Sequence, residues 1–82
     1  MIRALVLMNI ERGQVPSTAR QLAEMDEVVD VYSTAGDYDL VAVVQSEEYE
    51  RLAEIVTEKL QAVEGVCRTT TLMAFRNYKF SQ

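Results

Sequence analysis

The sequence predicts an α+β fold of the ferredoxin-like kind, in the order βαββαβ. Three observations carry that expectation: two segments with apolar residues at helical spacing, four short segments rich in strand formers, and a Gly-Asp turn joining the middle two. Residues 2–10 are apolar at both alternating sets of positions, which suits a strand covered on two sides. Glu11-Arg12-Gly13 breaks that strand, and Pro16 presets the backbone for the first turn of a helix. This helix, ending near Met25, places Ala19, Leu22 and Ala23 on one face. Residues 27–35, with Val28, Val29, Val31 and Tyr32, and residues 39–45, with Leu40 through Val44, read as strands two and three. Gly36-Asp37 between them is a hairpin signal, because glycine accepts the positive φ that tight turns demand, so the two strands should be antiparallel neighbours. Ser46 reads as the N-cap of a second helix, with Glu47, Glu48 and Glu50 at its positive end and Lys59 nearer its negative end. Its apolar stripe is Tyr49, Leu52, Ala53, Val56, Leu60 and Val63, and Gly65 is its stop. Residues 66–76 form the fourth strand. Right-handed crossovers then put strands one and three at the centre and both helices on one face. The opposite face is left bare although its residues are apolar, and a second copy packed sheet against sheet is the simplest cover.

Composition narrows the function. The 82 residues amount to one domain, of a size that hides only about 60–65% of its extended surface on folding, so self-association is expected. There is no His, which removes imidazole catalysis and His-bearing metal sites, and no cofactor is expected. The lone Cys67 has no internal disulfide partner and reads as a packing residue in a reducing compartment. A net charge of −5 argues against direct binding of nucleic acid. The longest apolar runs, Ala4–Met8 and Leu40–Val44, have five residues each, against roughly 20 needed to cross a bilayer. With no signal-peptide pattern at the start, a cytoplasmic location without membrane contact is the expectation.

Few residues suggest chemistry. Asp37 and Asp39 could pair as acid and base, but carboxylates two apart beside a hairpin tip are ordinary turn residues. No nucleophile elbow and no phosphate loop occurs. The informative set is the tip Thr34-Ala35-Gly36-Asp37-Tyr38-Asp39, with Leu40 behind it, together with Thr69, Thr70 and Thr71. A free amino acid needs N–H or O–H donors for its carboxylate and an anionic acceptor for its ammonium. Gly36 lets backbone N–H groups approach a ligand, Asp37 or Asp39 supplies the acceptor, and threonine hydroxyls complete the cradle. In a regular strand Thr70 and Thr71 face opposite ways, so only one alternate set of threonines meets a given ligand. Against this stands the plain reading, in which threonine serves strand propensity and Gly-Asp serves the turn.

The stretch Val31-Tyr32-Ser33-Thr34-Ala35-Gly36-Asp37-Tyr38-Asp39-Leu40, followed by Gly65-Val66 and Arg68-Thr69-Thr70-Thr71, resembles the effector domain of Lrp/AsnC transcription regulators, also called the RAM domain. The resemblance runs from Ile2 to about Lys79. It implies a dimeric α/β barrel whose dimers gather into rings, an octamer among them, with an amino acid held where dimers meet. It also implies that Ala35, Gly36, Asp37, Tyr38, Asp39 and Leu40 belong to the ligand loop and that Thr69, Thr70 and Thr71 line the same pocket. Full-length members carry a helix-turn-helix domain ahead of this module. Here the chain begins at the first strand and so resembles the stand-alone members: a single domain with a core of about residues 2–79 and no helix-turn-helix. The function implied is amino-acid sensing that modulates assembly, or modulates a full-length Lrp/AsnC regulator through mixed oligomers. Two alternatives stand beside it. One is a cofactor-free dimeric α/β-barrel oxygenase or isomerase, for which Arg3, Asn9 and Tyr32 are the polar candidates; the other is an ACT-type amino-acid module.

Overall fold

The computed structural model describes residues 1–79. Its elements are β1 (Ile2–Ile10), α1 (Val15–Ala23), β2 (Val28–Ser33), β3 (Leu40–Ser46), α2 (Tyr49–Glu54), a π-helical turn over Ile55–Leu60 that continues α2, and β4 (Val66–Ala74). The four strands form one antiparallel sheet in the order β2-β3-β1-β4, so β1 and β3 are central, as the crossover rule requires. This is the ferredoxin-like arrangement expected from the sequence.

One face of the sheet meets the helices. Ala4, Val6, Met8 and Ile10 of β1 alternate with solvent-side residues, and Leu40, Ala42 and Val44 of β3 do the same. They are buried against Leu22 of α1 and against Leu52, Ile55, Val56, Leu60 and Val63. The register places the complementary set, Leu5, Leu7, Val41, Val43, Tyr32 and Leu72, on the open face: Leu5 stands opposite both Val43 and Leu72, and Leu7 and Tyr32 opposite Val41. Leu72 is 50% exposed there. The double-sided apolarity of β1 is therefore real, and in this single chain half of it faces solvent.

Several element boundaries differ from the sequence reading. Ser46 is the last residue of β3, not a helix cap; Glu48 precedes α2 without a capping side chain, and Ser46 Oγ instead accepts from the Glu48 N–H at 3.3 Å within the turn. Tyr49, assigned to the apolar stripe, is 62% exposed, and Ala53 and Ala23 are exposed as well, because each lies at the edge of its helix's buried arc. Gly65 does not end a helix. With φ at +100° it turns the chain into β4, its carbonyl accepting from the Glu11 N–H at 2.7 Å. Thr18, which the pattern ignored, is fully buried and donates its hydroxyl to the Glu64 carbonyl at 2.9 Å. Cys67 is exposed, not packed in the core. β4 ends at Ala74, and Phe75 beyond it is 98% exposed. None of the described helices is long and apolar enough to cross a membrane.

Candidate functional site

The hairpin between β2 and β3 is braced by its own hydrogen bonds. The Thr34 N–H donates to the Asp39 carbonyl at 3.0 Å, and the Thr34 hydroxyl donates to the Tyr38 carbonyl at 2.7 Å, closing the loop on itself. Gly36 at its tip has φ of +114°, a region that residues with a Cβ rarely enter. The loop is then tied to the end of β1. The Asp39 N–H donates to the Met8 carbonyl at 2.9 Å, the Asn9 amide donates to the Asp37 carbonyl at 2.7 Å, and the Ile10 N–H donates to Asp39 Oδ2 at 2.8 Å.

On the other side of β1 lies β4, and a bulge there matters. Asn9 pairs with Arg68 and Ile10 with Val66, so Cys67 is the extra residue. A bulge re-aims the side chains around it. The result is an open cleft of about 660 Å³ lined by Asn9, Asp37, Tyr38, Cys67, Arg68 and Thr70. Across it the Tyr38 hydroxyl lies 3.4 Å from Thr70 Oγ1, a long contact.

The residues singled out from the sequence divide in three. Asp37, Tyr38 and Thr70 line the cleft, and Ala35 and Gly36 sit exposed in the loop that forms one side of it. Asp39 is half-buried and commits one carboxylate oxygen to β1, which makes it a strut of the loop; Leu40 is fully buried in the core beneath the helices. Thr69 and Thr71 fall on the helix side of β4, where Thr69 accepts from the Gln61 amide at 3.2 Å and Thr71 borders a small groove against α2. Alternation along the strand thus separates Thr70 from its two neighbours. Asp37 and Asp39 serve different structures and do not form an acid–base pair. Of the residues proposed for a barrel enzyme, Arg3 donates to Gln45 Oε1 at 3.0 Å at the far end of the sheet, Tyr32 stands on the edge strand, and Asn9 lies in the cleft.

Sequence reasoning missed Asn9 as a cleft residue, along with Arg68 and Cys67. Asn9 carried a signal, being a polar residue inside an otherwise apolar strand. The other two depend on the bulge, which leaves no mark in the pattern. Asp37 carries no hydrogen bond or ion pair on its carboxylate, and Arg68 none on its guanidinium, among the described residues. The cleft therefore offers one unpaired anion and one unpaired cation beside neutral hydrogen-bonding groups. No cluster of three or more metal-ligating side chains occurs among the described residues.

Fold and cleft together define a small ferredoxin-like module with a polar recess at a hairpin tip. The chain belongs to the Lrp/AsnC ligand-binding domain family, whose model matches residues 3–82. It is similar to the HTH-type transcriptional regulator FL11 of Pyrococcus furiosus, 31% identical over 95% of this chain and 51% of that protein. The chain spans about half the length of the curated relatives it matches. Among solved structures, TTHA0845 from Thermus thermophilus is 42% identical with a TM-score of 0.89, covering 98% of this chain and all of that one. The transcriptional regulator NMB0573 of Neisseria meningitidis, solved as a complex with L-Met, shares the fold alone: its TM-score is 0.87 at 15% identity, over 98% of this chain and 53% of that one.

Proposed function

We propose that this chain is an amino-acid-sensing domain whose ligand occupies the hairpin cleft, and that occupancy biases the assembly of dimers or of mixed oligomers with a full-length Lrp/AsnC regulator. The observation that carries the reading is the pairing of the free Asp37 carboxylate with the free Arg68 guanidinium in one cleft, flanked by Asn9, Tyr38 and Thr70. A zwitterion presents the opposite charges: Asp37 accepts from its ammonium, and Arg68, helped by loop N–H groups, takes its carboxylate. The family supports a regulatory role, and the Neisseria protein was solved with a free amino acid. The names of the curated relatives point to regulation of transcription and away from catalysis.

The cleft is open, so a ligand held there leaves one side to be covered. A neighbouring dimer that supplies this cover ties ligand affinity to assembly, and the coupling runs equally in both directions. The apolar open face of the sheet is the surface through which two copies form the dimer. Residues 1–82 act in this reading as one sensing unit in the cytoplasm, modulating DNA-bound partners without touching DNA.

Calorimetry with each of the twenty amino acids should show selective binding, and Asp37→Ala should weaken it by about tenfold or more, the usual loss for a charge-assisted hydrogen bond. Flat titrations with all twenty would refute the reading.

A further inference from the structure

Resting on that reading of the cleft, we propose that the ligand is an amino acid with a neutral, hydrogen-bonding side chain, of the amide or hydroxyl class, and that Tyr38 and Thr70 select it. The inference starts from what the cleft offers. Its lining is Asn9, Asp37, Tyr38, Cys67, Arg68 and Thr70, with no aliphatic side chain among them. The cleft lies at the end of the sheet where β1 meets the hairpin, and Leu7, the open-face residue opposite Thr70, borders it without being part of its lining. One cation and one anion are free in it, and the α-carboxylate and α-ammonium of any amino acid consume both. Asp39 is not part of the lining, its Oδ2 being turned to the Ile10 N–H of β1 at 2.8 Å.

What remains for the ligand's side chain is neutral. Asn9 donates through Nδ2 to the Asp37 carbonyl at 2.7 Å and keeps its Oδ1 as an acceptor. The Tyr38 and Thr70 hydroxyls sit 3.4 Å apart, too long for a strong mutual bond, so each retains capacity to donate and accept. A leucine or valine side chain placed among these groups would strip water from them without replacing its hydrogen bonds. A lysine would bring a second cation to a cleft with one free anion. A glutamate would bring a second anion to one free guanidinium, on a chain whose net charge is already −5. An amide or hydroxyl satisfies the remaining groups with no uncompensated charge.

The test is a calorimetric series on the full chain with L-glutamine, L-asparagine, L-serine and L-threonine against L-leucine, L-valine and L-phenylalanine, and against L-glutamate and L-lysine. The tightest neutral polar ligand should exceed every aliphatic and charged one by about tenfold, as sites built for hydrogen bonding reject analogues that leave their groups unpaired. Thr70→Val, which replaces the hydroxyl by a methyl at nearly equal volume, should shrink that preference by about three- to tenfold. Its affinity for the aliphatic ligands should hold or rise. If leucine or a charged amino acid binds as tightly as the polar set, the selectivity proposal is overturned while the cleft remains an amino-acid site. Should the preference exist yet survive both Thr70→Val and Tyr38→Phe undiminished, those residues are not its source and the proposal fails in that part. Absence of binding by all the amino acids, or binding indifferent to Asp37→Ala, would instead remove the reading of the cleft itself.

Discussion

At the scale of single residues, Gly65 shows how a position without a side chain is fixed by those around it. A Cβ built there would lie 2.5 Å from Thr18 Oγ1 and 3.1 Å from Gln14 Cβ, in a backbone region with φ of +100°. Thr18 cannot move away cheaply, because its buried hydroxyl is the donor to the Glu64 carbonyl. Gly65→Ala therefore meets both a steric clash and an unfavourable φ, and should lower stability by about 2–4 kcal/mol in urea denaturation. Gly36 is a contrast: its φ is also positive, but a Cβ there meets nothing within 4 Å, so Gly36→Ala should cost about 1 kcal/mol from the backbone alone. Equal losses at the two glycines would contradict the packing account. The sequence displays Gly65 as punctuation and nothing more. Its partner Thr18 lies 47 residues earlier and enters the core only through tertiary packing, which is why periodicity did not find it.

At the scale of elements, the π-helical turn over Ile55–Leu60 resolves a conflict in the sequence pattern. Ile55 and Leu60 are both fully buried yet five residues apart. In a regular α-helix residues five apart are rotated by about 140°, which would set these two at opposite margins of the buried arc that Leu52, Val56 and Val63 fill. Widening the turn to i→i+5 bonding keeps both on the core and leaves Lys59 outward, where its Nζ lies 3.3 Å from Glu27 Oε2. Arg51 reaches the same oxygen at 2.7 Å, so Glu27, just before β2, clamps both halves of the second helical segment. Its own backbone N–H holds the Glu27 carboxyl below its usual 4.5, against an opposing effect of burial that outweighs Lys59 or Arg51 taken singly, and those two cations lower it further. A lowered native pKa means the stabilisation is complete above the unfolded-state value and disappears as pH falls through the native one. Glu27→Gln should cost no more than about 1 kcal/mol at neutral pH, since both cationic partners are nearly half exposed. The difference between wild type and variant should shrink as pH drops below 4.5, the ordinary value for this carboxyl; a difference that grows on acidification would refute the clamp. Strand order, helix placement and the hairpin were all legible in the sequence, since each follows from period and turn chemistry. The π turn and the bulge at Cys67 were not, because both arise from fitting one element to another.

At the scale of the whole molecule, the open face of the sheet sets the terms for assembly. Leu5, Leu7, Val41, Val43, Tyr32 and Leu72 share it, and the strand alternation that makes them neighbours is the same one that buries Val6, Met8 and Ala42 on the other side. A contiguous apolar surface of this kind on a chain of 82 residues is unfavourable in water unless a copy covers it. Val43 lies near its middle, opposite Leu5 and paired with Asp30, so a carboxylate at that position would be buried among apolar side chains and beside a second carboxylate in a face-to-face dimer, with Arg3 two positions along β1 from Leu5. Val43→Glu should therefore raise the dimer dissociation constant by at least about 100-fold, the scale of an unpaired buried charge. Light scattering across micromolar concentrations reads this directly, with circular dichroism following whether the separated chain keeps its fold. Glu58→Gln, on the solvated side of the second helical segment, changes a charge on the opposite layer and should leave the dimer intact. If the parent chain is a monomer, or Val43→Glu associates as the parent does, a second copy does not cover this face.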